Sequence, residues 1–201
     1  MRYPDYDQCK RSANEILLRQ DKPDITPNVF HLRSDKKIII ESIQEYCRLL
    51  HINRGKFLCG GNLLKGVKIY DKEKNIYTIL YNASVRRSGD IRWDVCHELG
   101  HLHLNHECET DTEECEANAF ARQILMPEYS VWKIWTEYKI KNIEAIASIF
   151  GVSDTIAQYR IDNLKKRGHI EVLQNDMDIW EAHKRSAEER IEFIMQFFDA
   201  S

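Results

Sequence analysis

Two histidines and a glutamate lie in the order His97-Glu98-Leu99-Gly100-His101, an H-E-x-x-H motif. On an α-helix, residues four positions apart lie on the same face, so the imidazoles of His97 and His101 can bind one metal ion. Imidazole nitrogen is a preferred zinc ligand, at a distance of about 2.0–2.1 Å. Glu98 projects beside the metal, where its carboxylate can act as a general base toward a water molecule. The motif predicts zinc-dependent hydrolysis with Glu98 as the catalytic residue.

A catalytic zinc site usually has three protein ligands, so the motif requires a third donor from another part of the chain. The helix-favouring segment 113–121 carries two candidates. We predict Glu114, which follows His101 by thirteen positions, because this spacing allows a turn and a second helix that packs against the first. Asn118, one turn further along, can hydrogen-bond a ligand histidine and hold its ring. Glu116 is the alternative third ligand, although it points roughly the other way around the helix.

Other histidines and cysteines near the motif carry metal-binding atoms as well. His103 is two residues from His101 and therefore faces away from it on a helix. We interpret His103 and His106 as solvent-exposed or helix-end residues. Cys96 and Cys115 each adjoin a predicted ligand, but neighbouring helical residues point about 100° apart. We therefore interpret both cysteines as small packing residues.

Three motifs lie in the middle of the chain: His97-Glu98-Leu99-Gly100-His101, Glu114-x-Glu116-Ala117-Asn118-x-Phe120-Ala121 and Ile124-Leu125-Met126-Pro127. Their combination resembles the ImmA/IrrE family of zinc-dependent metallopeptidases, over about residues 66–127. Residues 146–164 are also similar to the helical segment that follows the peptidase core in that family. The resemblance implies a gluzincin-like core with Glu114 as the third ligand. It also implies that the reaction is proteolysis of a cytoplasmic transcriptional repressor.

The composition is that of an ordinary globular protein. Of the 201 residues, 43% are hydrophobic and 30% are charged. The net charge of −3 provides no general attraction to nucleic acids. The six cysteines are scattered without a C-x-x-C pair, no signal segment is recognisable, and no apolar run approaches the ~20 residues of a membrane span. We therefore expect a cytoplasmic protein with free thiols and no membrane contact.

The chain divides into three predicted ranges. Residues 1–37 form an N-terminal leader, for which a pro-region, a substrate-recognition arm and a packed segment are all consistent with the sequence. Within it, a short helical pattern at residues 13–19 precedes two prolines that cannot continue a helix. Residues 38–135 form the predicted zinc metallopeptidase core, and residues 136–201 form a C-terminal helical region.

Hydrophobic spacing predicts the elements that position the motif. Residues 38–50 have the spacing of an amphipathic helix. Two β-branched and aromatic runs, 67–70 and 76–81, flank a polar loop and predict a β-hairpin beside the metal helix. Asp90 is the predicted N-cap of the metal helix, which we expect over residues 91–104. The predicted fold class is α+β: a mainly helical metallopeptidase core with a small antiparallel β-sheet beside the H-E-x-x-H helix, followed by a helix-turn-helix-like segment.

Residues 142–166 predict that helix-turn-helix-like segment, with Gly151 at the turn and Ser153 as the cap of the second helix. A DNA-reading helix presents hydrogen-bond donors at its start, whereas here the second helix starts with Asp154 and Thr155. We therefore favour substrate docking or a structural role over DNA binding. Further on, residues 186–189 have the pattern of a capping box for a terminal helix.

The sequence thus predicts a zinc-dependent endopeptidase whose ligands are His97, His101 and Glu114. Glu98 takes a proton from water and passes it to the leaving amine. The expected partner is a protein substrate, a helix-turn-helix transcriptional repressor whose cleavage relieves repression. The alternative is a non-catalytic repressor- or DNA-binding module with a structural or vestigial metal site. Manganese and iron are alternatives to zinc as the metal, and no pattern indicates an oligomeric state.

Overall fold

Helices and short strands alternate in the computed structural model, which describes residues 2–84, 87–108 and 110–198. Residue 1 of the predicted leader and residues 199–201 of the predicted C-terminal region lie outside the described residues. The described strands are β1 (Ile38–Ser42), β2 (Leu58–Cys59), β3 (Asn62–Leu63), β4 (Gly66–Asp71) and β5 (Ile76–Tyr81). The described α-helices are α1 (Tyr6–Leu18), α2 (Ile43–Leu49), α3 (Ser88–His103), α4 (Asp111–Leu125), α5 (Glu128–Thr136), α6 (Ile143–Phe150), α7 (Asp154–Arg167) and α8 (Gln174–Phe198).

The predicted hairpin forms two of the three strands of the main described sheet. β4 and β5 pair in antiparallel fashion, from Gly66 opposite Tyr81 to Asp71 opposite Ile76. β1 lies on the other side of β5 and runs parallel to it, so the strand order is β1-β5-β4. The sheet is therefore mixed, whereas the sequence predicted only antiparallel pairing. Helix α3 contacts both β4 and β5, which confirms that the hairpin lies beside the metal helix.

The helix predicted over residues 38–50 is wrong in its first part, because β1 precedes α2. Three consecutive isoleucines, residues 38–40, favour extended backbone, since β-branched side chains fit a pleated sheet. Ser42 then starts the helix: its hydroxyl accepts a hydrogen bond from the backbone N–H of Glu45 at 3.1 Å. The helical spacing therefore applies only from Ile43 onward.

Helix α3 starts at Ser88, earlier than predicted. Arg87 occupies the N-cap position without a side-chain hydrogen bond, so the prediction of Asp90 as N-cap is wrong. Asp90 lies in the first turn, where its negative charge complements the partial positive charge of the helix N-terminus. Val95, Leu99 and Leu102 of α3 are buried and form an apolar stripe along the helix. This stripe fixes the rotation of α3 and therefore the direction of the motif histidines.

The N-terminal leader contains a packed helix. α1 is longer than the predicted pattern, and Asp5 caps it by accepting a hydrogen bond from the backbone N–H of Gln8 at 2.9 Å. Four apolar side chains of α1 belong to the same hydrophobic core as α3 and α4: Cys9, Ala13, Ile16 and Leu17. Of the three roles left open by the sequence, this packing fits a packed segment. The division into three ranges stays a prediction.

The C-terminal helices include the predicted helix-turn-helix pair, α6 and α7, joined at Gly151 with a φ of 63°. Ser153 occupies the N-cap position of α7 but makes no side-chain cap hydrogen bond. The predicted capping box at residues 186–189 is wrong, because α8 already begins at Gln174. The hydroxyl of Ser186 accepts a hydrogen bond from the backbone N–H of Ile25 instead.

None of the described helices combines the length and the apolar character needed to cross a lipid bilayer.

Candidate metal centre

Helices α3 and α4 carry the predicted ligands, and their backbones approach closely where they cross. A Cβ atom at Gly100 would lie 3.0 Å from both Cα and the carbonyl oxygen of Ala117. The crossing therefore requires glycine on α3 and favours a small residue on α4. A capping box formed by Thr110 and Glu113 starts α4 directly after the loop. This close hairpin of helices returns Glu114 to the face of α3 that carries the motif.

Donor atoms of three side chains meet at this crossing. The Nε2 atoms of His97 and His101 are 3.0 Å apart. The carboxylate oxygens of Glu114 lie 3.4 Å from His97 Nε2 and 3.2 Å from His101 Nε2. Ligand atoms of a tetrahedral zinc ion, at bond lengths of about 2.0–2.1 Å, lie about 3.3 Å from one another. The side chains of His97, His101 and Glu114 therefore have the spacing to bind one zinc ion, and their assignment as ligands stays a prediction.

Glu116, the alternative third ligand, lies on another side of α4. Its Oε2 atom is 3.0 Å from Nε2 of His106, and its Oε1 atom accepts a hydrogen bond from the backbone N–H of Asp5 at 2.8 Å. Among the described residues, the group of side chains able to hold a metal ion comprises His97, His101 and Glu114 and does not include Glu116. The geometry therefore favours Glu114 over Glu116.

Asn118 lies beside the first histidine of the motif, as the sequence predicts. Its Oδ1 atom is 3.1 Å from Nδ1 of His97. An amide oxygen only accepts hydrogen bonds, so Nδ1 of His97 carries the ring proton and donates. The Nε2 atom of His97 then keeps its lone pair for a metal ion, and the ring is held in that orientation.

The interpretation of His106 as an exposed residue is wrong. Its side chain is only 3% exposed, and its Nδ1 atom lies 3.0 Å from Nδ1 of His101. Helical spacing does not apply to His106, because α3 ends at His103 and the chain then turns back. His103 is the last residue of α3, as predicted, and its ring stacks on Phe120. The only sequence signal for the contact between His106 and His101 was therefore the presence of a histidine shortly after the motif helix.

The carboxylate of Glu98 lies against the first residue of β4. A Cβ atom at Gly66 would be 2.8 Å from Oε1 of Glu98, so this position tolerates only glycine without movement of the carboxylate. Lys68, on the same strand, donates a hydrogen bond from its ammonium group to the carbonyl oxygen of His106 at 3.0 Å. Burial lowers the pKa of Lys68, and the negative charge of Glu98 opposes this lowering. The side chain of Glu98 thus lies between α3, which carries it, and the edge strand β4.

Residues 63–162 match the Peptidase_M78 family, described as the IrrE N-terminal-like domain. The chain belongs to this family. The match confirms the resemblance inferred from the three motifs and identifies a peptidase domain of the metallopeptidase type. It includes Glu98 and all three donor residues, and excludes α1 and α8. No curated protein matches the chain.

Burial disfavours the charged form of two imidazoles in the IrrE-like domain, those of His101 and His106. Burial, together with the smaller effects of the neighbouring His97 and His106, lowers the pKa of His101 to about 4. Burial also lowers the pKa of His106, although its hydrogen bond with Glu116 acts in the opposite direction. Only a neutral imidazole has a free lone pair for a metal ion. Near neutral pH, His101 therefore requires no deprotonation before it binds metal.

The two cysteines next to predicted ligands differ in their surroundings. Cys96 is buried in the hydrophobic core, as predicted, whereas Cys115 is exposed, so its interpretation as a packing residue is wrong. Cys115 lies on the outer face of α4, one residue from Glu114. Neither thiol belongs to the group of described side chains that could hold a metal ion.

We predict that the substitution Gly66→Ala lowers peptide cleavage about a hundredfold, because misplacement of a reacting group by about 1 Å can cost this much. The added methyl group would displace the Glu98 carboxylate, whereas none of the three metal donors is among the atoms that it would meet. The measurement is kcat/KM together with zinc content, which should stay unchanged.

A double substitution provides the control. In a Glu98→Gln background, Gly66→Ala should cause no further loss of activity, because its effect is exerted through Glu98. A further loss of activity of about a hundredfold in the double variant would show that Gly66 affects cleavage by a route other than Glu98.

Proposed function

We propose that this IrrE-like domain is a zinc-dependent endopeptidase. His97, His101 and Glu114 hold the metal, and Glu98 is the general base. The proposal is carried by one observation: ligand atoms of the two histidines and the glutamate all lie within 4.8 Å of one another. Membership of a peptidase family supports it independently.

The donor set suits zinc in a catalytic site. Two neutral imidazole nitrogens and one carboxylate oxygen are a known catalytic combination, and three protein ligands leave one position open. The pair of neutral rings and a single negative charge also matches a divalent cation. When bound, zinc acts as a Lewis acid that polarises the scissile carbonyl group and makes a water molecule more acidic.

The chain's own residues perform the proton transfers and the positioning. Glu98 accepts the proton of the attacking water and then delivers it to the nitrogen of the leaving amine. Asn118 holds the ring of His97 through a hydrogen bond of 3.1 Å. β4 is an edge strand of the described sheet and begins at Gly66, beside Glu98. An extended peptide can pair with such an edge through main-chain hydrogen bonds.

The proposed substrate is a cytoplasmic transcriptional repressor of the helix-turn-helix class. Its cleavage would relieve repression. Support comes from the resemblance to the ImmA/IrrE family and from the six unpaired cysteines, which suit a reducing compartment. The predicted docking element is the α6–α7 pair, whose second helix begins with an acidic residue, Asp154.

The test is to co-express the protein with a candidate helix-turn-helix repressor from the same genome, and to repeat the reaction with purified proteins. We expect discrete repressor fragments with zinc, none after treatment with a chelator, and their return when zinc is restored. Mass spectrometry of the fragments identifies the cleaved bond. A zinc-loaded protein that binds the repressor but leaves it intact would contradict the peptidase proposal and support the binding-module alternative.

A further inference from the structure

Behind the metal ligand His101 lies a chain of buried polar contacts that leads to the N-terminus. We propose that His106 and Glu116 are positioning residues for His101, and that Arg2 and the backbone amide of Asp5 hold Glu116 in this role. The inference rests on the proposed metal site, because it concerns how one ligand of that site is held.

Each residue in this series is connected to the next by a contact at hydrogen-bond distance. Nδ1 of His101 lies 3.0 Å from Nδ1 of His106, and Nε2 of His106 lies 3.0 Å from Oε2 of Glu116. The other oxygen of Glu116, Oε1, accepts hydrogen bonds of 2.8 Å from both the guanidinium of Arg2 and the backbone N–H of Asp5. The side chains of His106 and Glu116 are 3% and 2% exposed. Water therefore cannot readily replace these partners.

The series assigns every ring proton. A carboxylate only accepts hydrogen bonds, so His106 donates from Nε2 to Glu116. Nδ1 of His106 is then an acceptor, and it receives the Nδ1 proton of His101. Nε2 of His101 is left with its lone pair, and this is the atom that faces Glu114 at 3.2 Å. If His106 instead donated its Nδ1 proton to Nδ1 of His101, the hydrogen of His101 would lie on Nε2, the atom that must bind metal.

Glu116 is fixed in orientation by its two donors. The backbone N–H of Asp5 cannot turn away without movement of the chain at the start of α1, and Arg2 donates to the same oxygen. Oε1 must therefore remain an acceptor, while Oε2 faces His106. A buried network with all partners satisfied favours a single arrangement, and loss of one partner is costly.

The chain of contacts also links the IrrE-like domain to residues before it. Arg2 and Asp5 precede the matched range 63–162. The N-terminal segment thereby acquires a role that its sequence does not reveal: it sets the orientation of a metal ligand through Glu116. It acts on metal affinity and has no contact with the reacting atoms in this role.

The decisive variant is Glu116→Gln, which keeps the size of the side chain. The two donors retain the amide oxygen, so the NH₂ group faces Nε2 of His106. His106 must then accept at Nε2 and carry its proton on Nδ1, where it opposes the Nδ1 proton of His101. We expect zinc affinity to fall about 10- to 100-fold, the range typical for partners of metal-binding histidines. The measurements are competition with a chelator for Zn²⁺ and the d–d absorption spectrum of the Co²⁺-loaded protein.

Gln123→Met is the matched control. Gln123 is a buried polar residue on the same helix, but it bonds with Asn14 and Arg160 and has no part in the series. This variant should lose thermal stability and keep wild-type zinc affinity. Zinc affinity of Glu116→Gln within twofold of wild type would overturn the inference while leaving the proposed function intact. Failure of the wild-type protein to bind zinc would instead contradict the proposed function.

A second pair of variants keeps the inference testable if Glu116→Gln does not fold. His106→Asn places an amide oxygen near the former Nδ1 and can still accept the proton of His101, whereas His106→Leu cannot. Both variants lose the bond to Glu116. We expect the zinc affinity of the Asn variant to exceed that of the Leu variant about tenfold, and equal affinities would overturn the positioning role.

Discussion

Replacement of Glu98 by glutamine is expected to lower kcat for peptide cleavage about 10²- to 10⁴-fold, the contribution usual for a general base. Glutamine has nearly the same shape but cannot accept a proton from water. The metal donors lie on other side chains, so zinc content should remain at the wild-type level. The measurement combines the cleavage rate of the repressor with zinc analysis of the same preparation.

Glu15→Gln is the control for this charge change, because Glu15 is an exposed residue of α1. It should leave cleavage and zinc content unchanged. Cleavage by Glu98→Gln at the wild-type rate would show that another residue is the base. Loss of zinc from that variant would instead assign Glu98 a role in metal binding.

The substitution Glu114→Gln should remove zinc and reduce cleavage to background. Its carboxylate supplies the only negative charge among the three proposed donors, and a neutral amide is a weak substitute. Since loss of a partner that merely holds a ligand already costs about 10- to 100-fold in affinity, loss of the ligand itself should exceed about a hundredfold. Zinc content after dialysis and competition with a chelator measure the effect.

Two comparisons make this result specific to Glu114. Cys115→Ser alters the adjacent exposed side chain and should keep both zinc and activity, which tests the thiolate alternative. Glu116→Gln should weaken zinc binding less than Glu114→Gln does. The opposite order would identify Glu116 as the ligand and contradict the geometry of the site.

The centre of the site could be predicted from sequence because its rules are local. Helical periodicity alone places His97 and His101 on one face, and the short connection to α4 limits where Glu114 can lie. The same holds for the β4–β5 hairpin, in which both strands and the loop are contiguous in sequence. Such features depend on residues that lie close together in the sequence.

The parts that could not be predicted depend on distant residues. His106 is buried because the chain turns back after α3, and its partner Glu116 is completed by Arg2, which is 114 positions away. No periodic pattern encodes a contact of that kind. β1 was missed for a related reason, since its parallel partner β5 is separated from it in sequence by α2, a short 3-10 helix and the three strands β2, β3 and β4.

Local capping signals failed where packing outweighed them. Ser186 and the glutamates that follow it fit a helix start, yet α8 continues through them. A cap contributes only about 0.5–2 kcal/mol. Burial of apolar side chains along a long helix, here Ile179, Trp180 and Ala187, contributes more.

The bonds between Glu116 and the first residues of the chain bear on the order of folding. The three proposed donors lie within an 18-residue stretch of the helical hairpin, so little entropy of loop closure opposes their meeting. Arg2 and Asp5 reach Glu116 only after a much larger loop has closed. A zinc ion taken up during biosynthesis would therefore first be held loosely by the hairpin and more tightly once α1 has docked.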